Sequence, residues 1–173
     1  TGNDTGTIVL PDGGAHDSGG GGADTGGARD TGGGGGSCSL TVSAGNFGSL
    51  SAGCFPRCSA ATLTAINACT TAACQQSALD ADTTPGTAWT ANGMAATAEL
   101  DCGGCFGNQQ LHCFSVSGCA AEVDAYVTCA SGAGMPTCTT ELTAVNTCGM
   151  ANQTAIQACA NDATMGIVAC FGG

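Results

Sequence analysis

The chain has no lysine, and Arg29 and Arg57 face thirteen carboxylates, for a net charge of -11. Nucleic acid is excluded as a partner class, because phosphate binding relies on clustered Lys and Arg. The acidity itself reads as solubility and mutual repulsion between copies. Large apolar side chains are scarce too: Leu, Ile, Val and Phe make up about 14% of the 173 residues, below the level at which a hydrophobic core alone outweighs chain entropy. No apolar run approaches the roughly 18 residues of a membrane span, so no transmembrane segment is expected.

What is abundant is cysteine. Fourteen are present: Cys38, Cys54, Cys58, Cys69, Cys74, Cys102, Cys105, Cys113, Cys119, Cys129, Cys138, Cys148, Cys159 and Cys170. That density marks a disulfide scaffold, and an even count predicts complete pairing. Each cross-link contributes on the order of 2–4 kcal/mol by restricting the unfolded chain, with diminishing returns as loops are subdivided, so together they replace the missing core. Such chemistry needs an oxidising compartment. A start at Thr1 rather than Met fits a mature form whose signal peptide has been removed, and an extracellular or outer-surface location is expected.

Two regions differ in composition. Residues 1–36 hold half of the chain's 30 glycines and no cysteine, with Asp-Thr-Gly recurring at 4, 24 and 30. Such a segment has high backbone entropy and little to bury, and it reads as an arm or tether. Its one apolar island is Ile8-Val9-Leu10, between Gly6-Thr7 and Pro11, with β-branched residues that favour an extended strand. These three residues are the candidate partner-binding element. Gly19 to Asp24 matches the start of a glycine-rich calcium repeat, but it occurs once and that architecture needs stacked copies.

Residues 37–173 form the second region. Leu40 and Val42 alternate as in a short strand or extended arm. Beyond them a pattern h-x-small-h-x-x-Cys recurs: Leu63, Ala65, Ile66, Cys69; Val123, Ala125, Tyr126, Cys129; Leu142, Ala144, Val145, Cys148. Weaker copies end at Cys159 and Cys170. Three units also open with a cysteine, Cys58, Cys119 and Cys138, ten or eleven residues before the closing one, which puts all these positions on one helical face. Short helices of this kind are marginal alone, so antiparallel neighbours with a staple near each end are expected. Cysteines ten or eleven apart on one helix should not pair with each other, because about 15 Å of helical rise exceeds the roughly 7 Å limit between bridged Cα atoms. Gly149 is expected to cap a helix C-terminus, and Asn152, Asn161 and Asp162 to cap N-termini. A further helix is expected over 87–101, after Thr84-Pro85, carrying Trp89, Met94 and Leu100 on an Ala-rich stretch. The predicted fold is an all-α, disulfide-stapled array of short antiparallel helices with an extended Gly-rich N-terminal arm.

The run Cys102-Gly-Gly-Cys105-Phe, followed by His112-Cys113, Cys119-Ala-Ala-Glu-Val-Asp-Ala-Tyr-Val-Thr-Cys129 and Cys138, resembles cysteine-rich secreted or lipidated surface proteins of myxobacteria. The Asp-Thr-Gly and poly-Gly lead segment is similar to the spacers that follow a lipid-attachment cysteine in those proteins. The resemblance implies a surface location and a disulfide architecture; a start at Thr1 leaves two alternatives, a lipidated cysteine just upstream of Thr1 or a protein that is never lipidated. The resemblance assigns no activity and no functional residues.

Catalytic readings are weak. Cys102-Gly-Gly-Cys105 is a C-x-x-C, but an Ala-rich stretch read as helix precedes it and no βαβ pattern surrounds it, so a structural disulfide is the expectation. Phe106 stands where a c-type haem motif needs His. Zinc ligation by Cys102, Cys105, His112 or Cys113, and Cys119 would require those thiols to escape oxidation. Copper binding through Met94, Met135, Met150, Met165 and His16 has no clustered spacing behind it. His16 and His112 have no Gly-x-Ser-x-Gly elbow to serve. Glu99 and Asp101 would point to different sides of a helix, and a Glu122–Glu141 glycosidase pair is not demanded by anything in the sequence. The sequons at Asn3 and Asn152 match the glycosylation pattern. No metal, no cofactor and no enzymatic activity are expected. The expected function is an extracellular structural subunit, of filament or surface-layer type, that forms a homo-oligomer or polymer with its arm docked on a neighbour. The alternative is a surface-anchored binding module on a flexible spacer.

Overall fold

The computed structural model describes residues 37–43, 46–91, 93–96, 99–133 and 137–172. Ile8, Val9 and Leu10, with the rest of the arm, lie outside the described residues.

The all-α expectation is overturned. Strands β1 (Ser39–Ser43), β2 (Asn46–Leu50), β3 (Thr90–Ala91) and β4 (Met94–Ala95) form a mixed sheet in the order β2-β1-β3-β4. β1 pairs antiparallel with β2, Leu40 opposite Leu50, and parallel with β3, Leu40 opposite Ala91. The alanine-rich stretch expected as a helix over 87–101 is instead a hairpin. Thr90 faces Ala95, Ala91 faces Met94, and Thr87 and Leu100 exchange both backbone hydrogen bonds at 3.0 and 2.8 Å. The physical reason lies in the turn. Ala91 opposite Met94 leaves the two-residue connection Asn92-Gly93, a sequence pair that favours tight hairpins, and Gly93 has φ +80°, outside the helical region. Thr87, Trp89 and Thr90 supply β-forming side chains that the alanines do not outweigh.

The helices are α1 (Ala60–Ala68), α2 (Ala72–Asp80), α3 (Cys102–Phe114), α4 (Ala120–Ala133), α5 (Thr139–Ala151) and α6 (Gln153–Ala160). Ser59, Thr71 and Asp101 cap α1, α2 and α3, each accepting a backbone N–H three residues on. These caps matter because helices of 9 to 13 residues are marginal on their own. α3 leads through a π-turn at Ser115–Cys119 into α4, and Gly118 makes the bend with φ +104°. The weak unit at Ile167–Phe171 is a 3-10 turn rather than an α-helix. Gly149 lies inside α5, not at its cap, and Asn161 ends α6 rather than starting a helix.

All fourteen cysteines are bridged. The pairs are Cys38–Cys54, Cys58–Cys102, Cys69–Cys74, Cys105–Cys170, Cys113–Cys159, Cys119–Cys148 and Cys129–Cys138. No cysteine pairs with its mate ten or eleven residues away on one helix. Instead α4 and α5 form an antiparallel hairpin with a cystine at each end. α3 is the hub: Cys102 ties it to the segment before α1, Cys105 to the C-terminal turn and Cys113 to α6.

Cystines also fill the interior. One cluster joins Cys113, Phe114, Cys119, Val123, Tyr126, Cys138, Val145 and Ile156, and the other joins Cys38, Cys54, Cys58, Ile66, Leu79, Leu100, Cys102, Cys105 and Cys170. α3 spans both, its first turns in the second cluster and its last in the first. Sulfur thus takes the place of the aliphatic side chains that the composition lacks.

Candidate functional site

The concave feature nearest the sheet is an open apolar groove of about 270 Å³ between the strands and α3, lined by Leu40, Leu50, Trp89, Glu99, Leu100, Gly104, Asn108 and Leu111. The cross-strand register of β1 and β2 brings Leu40 and Leu50 side by side on one face. Gly104, Asn108 and Leu111 follow the four-and-three spacing of one helical face. Gly104 keeps the wall thin: a Cβ there would stand 3.3 Å from Leu100 Cδ1. Asn108 Nδ2 donates to the Gly48 carbonyl at 2.8 Å, holding β2 against α3, and Gly48 permits this approach with φ +87°. Leu40 and Leu100 are buried, whereas Leu50, Trp89 and Leu111 are half-buried. Glu99, exposed at the rim, is the one ionisable side chain among the lining residues. Such a surface binds apolar groups by removing them from water.

The cysteines named from sequence are all brought together as disulfides. Cys102 and Cys105 do stand at a helix N-terminus after an extended segment, contrary to the expected helix before them, yet they bridge to Cys58 and Cys170 rather than to each other. The thiolates that a redox or zinc reading needs are therefore consumed. The same holds for Cys129 and Cys138, whose sulfurs lie within 4.8 Å of a Glu141 carboxylate oxygen but are bonded to each other. His112 is buried on α3 beside the Cys113–Cys159 bridge. Glu122 and Glu141 lie in the first turns of α4 and α5 and do not line the groove. Asp101 is occupied as the α3 cap, accepting from Gly104 N at 2.7 Å. At the Asn152 sequon, Nδ2, the glycan-accepting atom, donates to the Cys148 carbonyl at 3.0 Å.

Sequence reasoning missed one polar constellation. Asp82 accepts hydrogen bonds from Ser59 N at 2.9 Å, Thr84 N at 2.7 Å and the Thr62 hydroxyl. Burial alone would raise its pKa, but these bonds stabilise the carboxylate and hold it well below the ordinary aspartate range. The group pins the start of α1 to the segment after α2. The Asp-x-Thr spacing of Asp82 and Thr84 was the local signal, since Asp commonly accepts the N–H two residues on.

Comparison with family models, with curated proteins and with solved structures finds no match.

Proposed function

We propose that the protein is a non-enzymatic extracellular structural subunit, of filament or surface-layer type, whose N-terminal arm docks on a neighbouring copy. The observation that carries this reading is the cross-linking of the whole described body, from Cys38 to Cys170, with no thiol left free. Seven cystines fit an oxidising, extracytoplasmic setting, and among the described residues no helix is long and apolar enough to cross a membrane. A body this heavily stapled is suited to persistence outside the cell, where refolding is not assisted. The resemblance to myxobacterial surface proteins supports the same setting, with a lipid anchor as part of the proposal.

The apolar groove favours a second reading, a surface-anchored binding module on a flexible spacer. At about 270 Å³ the groove falls just under the 300–1,000 Å³ typical of small-molecule sites, which places this reading second. Sedimentation and imaging of the native protein decide between them. Regular polymers or discrete oligomers are expected. A monomer at every concentration tested would overturn the subunit reading and return the arm to being a spacer.

A further inference from the structure

We propose that the groove formed by Leu40, Leu50, Trp89, Leu100 and Leu111 is the acceptor for the chain's own Ile8-Val9-Leu10 segment. This gives the arm of the proposed assembly its docking surface, and it rests on that reading for the arm's part in assembly.

Chemistry selects the occupant. The groove is apolar apart from Asn108, whose amide donates to the Gly48 carbonyl, and Glu99 at its rim, and Ile8-Val9-Leu10 is the single run of large apolar residues in the first 36 positions. The stretch Thr7–Pro11 carries no charge, so it approaches Glu99 without the repulsion that the arm's aspartates would meet.

Size agrees. In an extended segment Ile8 and Leu10 project to one side and Val9 to the other. Two aliphatic side chains suit a groove of about 270 Å³, a space slightly small for a drug-sized ligand.

Connectivity agrees as well. Leu40 belongs to the first strand after the arm, and the Cys38–Cys54 bridge anchors the start of that strand. Residues 11–36 separate the segment from this anchor, and a glycine-rich linker of that length spans about 25–30 Å on average. The segment therefore reaches the groove of its own chain at an effective concentration on the order of millimolar. The same contact made with a neighbour's groove joins two subunits, as in other exchanges of an identical element.

Trp89, the only tryptophan, lines the groove and reports on it. The experiment compares acrylamide quenching and emission of Trp89 in the full chain and in the Ile8→Asp/Leu10→Asp variant, at a dilution where light scattering shows single subunits. Circular dichroism and a thiol count confirm that both remain folded and fully bridged. The segment proposal expects stronger quenching and red-shifted emission in the variant. Equal quenching in the two proteins would overturn it, whether another ligand or only water fills the groove. A wild type that never assembles would sink the subunit reading alone, since the quenching comparison needs no assembly.

Discussion

Gly149 of α5 lies against the ring of Phe114 at the end of α3, so close that a Cβ at position 149 would overlap the ring edge. Phe114 is almost fully buried and has little room to withdraw. Gly149→Ala is therefore expected to destabilise the protein by about 1–3 kcal/mol through overpacking, despite alanine's better helix propensity. Thermal melts check this, and Phe114→Leu in the same background should recover part of the loss. A Gly149→Ala protein that melts at or above the wild type would refute the contact.

Cys69 and Cys74 are separated by only 5 positions, and both are more exposed than the half-cystines of α3. Limited reduction followed by alkylation and mass spectrometry is expected to label this pair first. Removing it should cost about 2 kcal/mol, against about 4 kcal/mol for Cys105–Cys170, whose loop is far longer. Early labelling of Cys105 or Cys170 would contradict the order.

Asp82 has a folded-state pKa depressed below its ordinary value of 3.8. The sign follows from linkage: a depressed carboxylate contributes stability that is present above the unfolded pKa and lost as pH falls through the folded one. The wild type should lose stability as pH drops below about 4. Asp82→Asn should be less stable at neutral pH and lose less on acidification. Denaturant titrations at pH 7 and in the acid range test this, and identical acid slopes for the two proteins would count against the Asp82 network.

Gly93 adopts φ +80°, a region that costs an L-residue about 1–2 kcal/mol. Gly93→Ala is expected to lower the melting temperature by about 2–4 °C per kcal/mol, while the far-ultraviolet helix signal stays unchanged, because the turn belongs to β3 and β4 alone. A variant with wild-type stability would mean that the hairpin tolerates another turn.

α4 and α5 were legible in sequence because their signals are local: an apolar stripe, a cysteine at each end of a turn-compatible length, and glycine between them. Complete pairing was legible from the even count. The pairing scheme was not, since spacing alone excludes Cys119–Cys129 without choosing Cys148 as the partner of Cys119. α3 went unread because Gly103 and Gly104 lower its propensity, and its stability comes from the Asp101 cap and three cystines. The sheet was hidden for a different reason. β3 and β4 have two residues each, and β3 finds its parallel partner about fifty positions away, so alanine content masked the Asn92-Gly93 turn. The groove draws Leu40, Leu50, Trp89 and Leu111 from four separate segments, and no window of the sequence contains it.

The bridging pattern divides the described body into three covalent blocks, 38–54, 58–102 and 105–170, each closed by the cystine at its ends and none linked to another except through the backbone. The joints are the residues 55–57 and the pair Gly103-Gly104 within the first turn of α3. Under tension between its ends the oxidised body can lengthen only at those joints, because each cystine carries the load past the folded loop it encloses. A protease cut inside a block leaves both pieces attached, whereas a cut at a joint separates them. The oxidised body is thus nearly inextensible, and a single cut inside any block leaves it in one covalent piece.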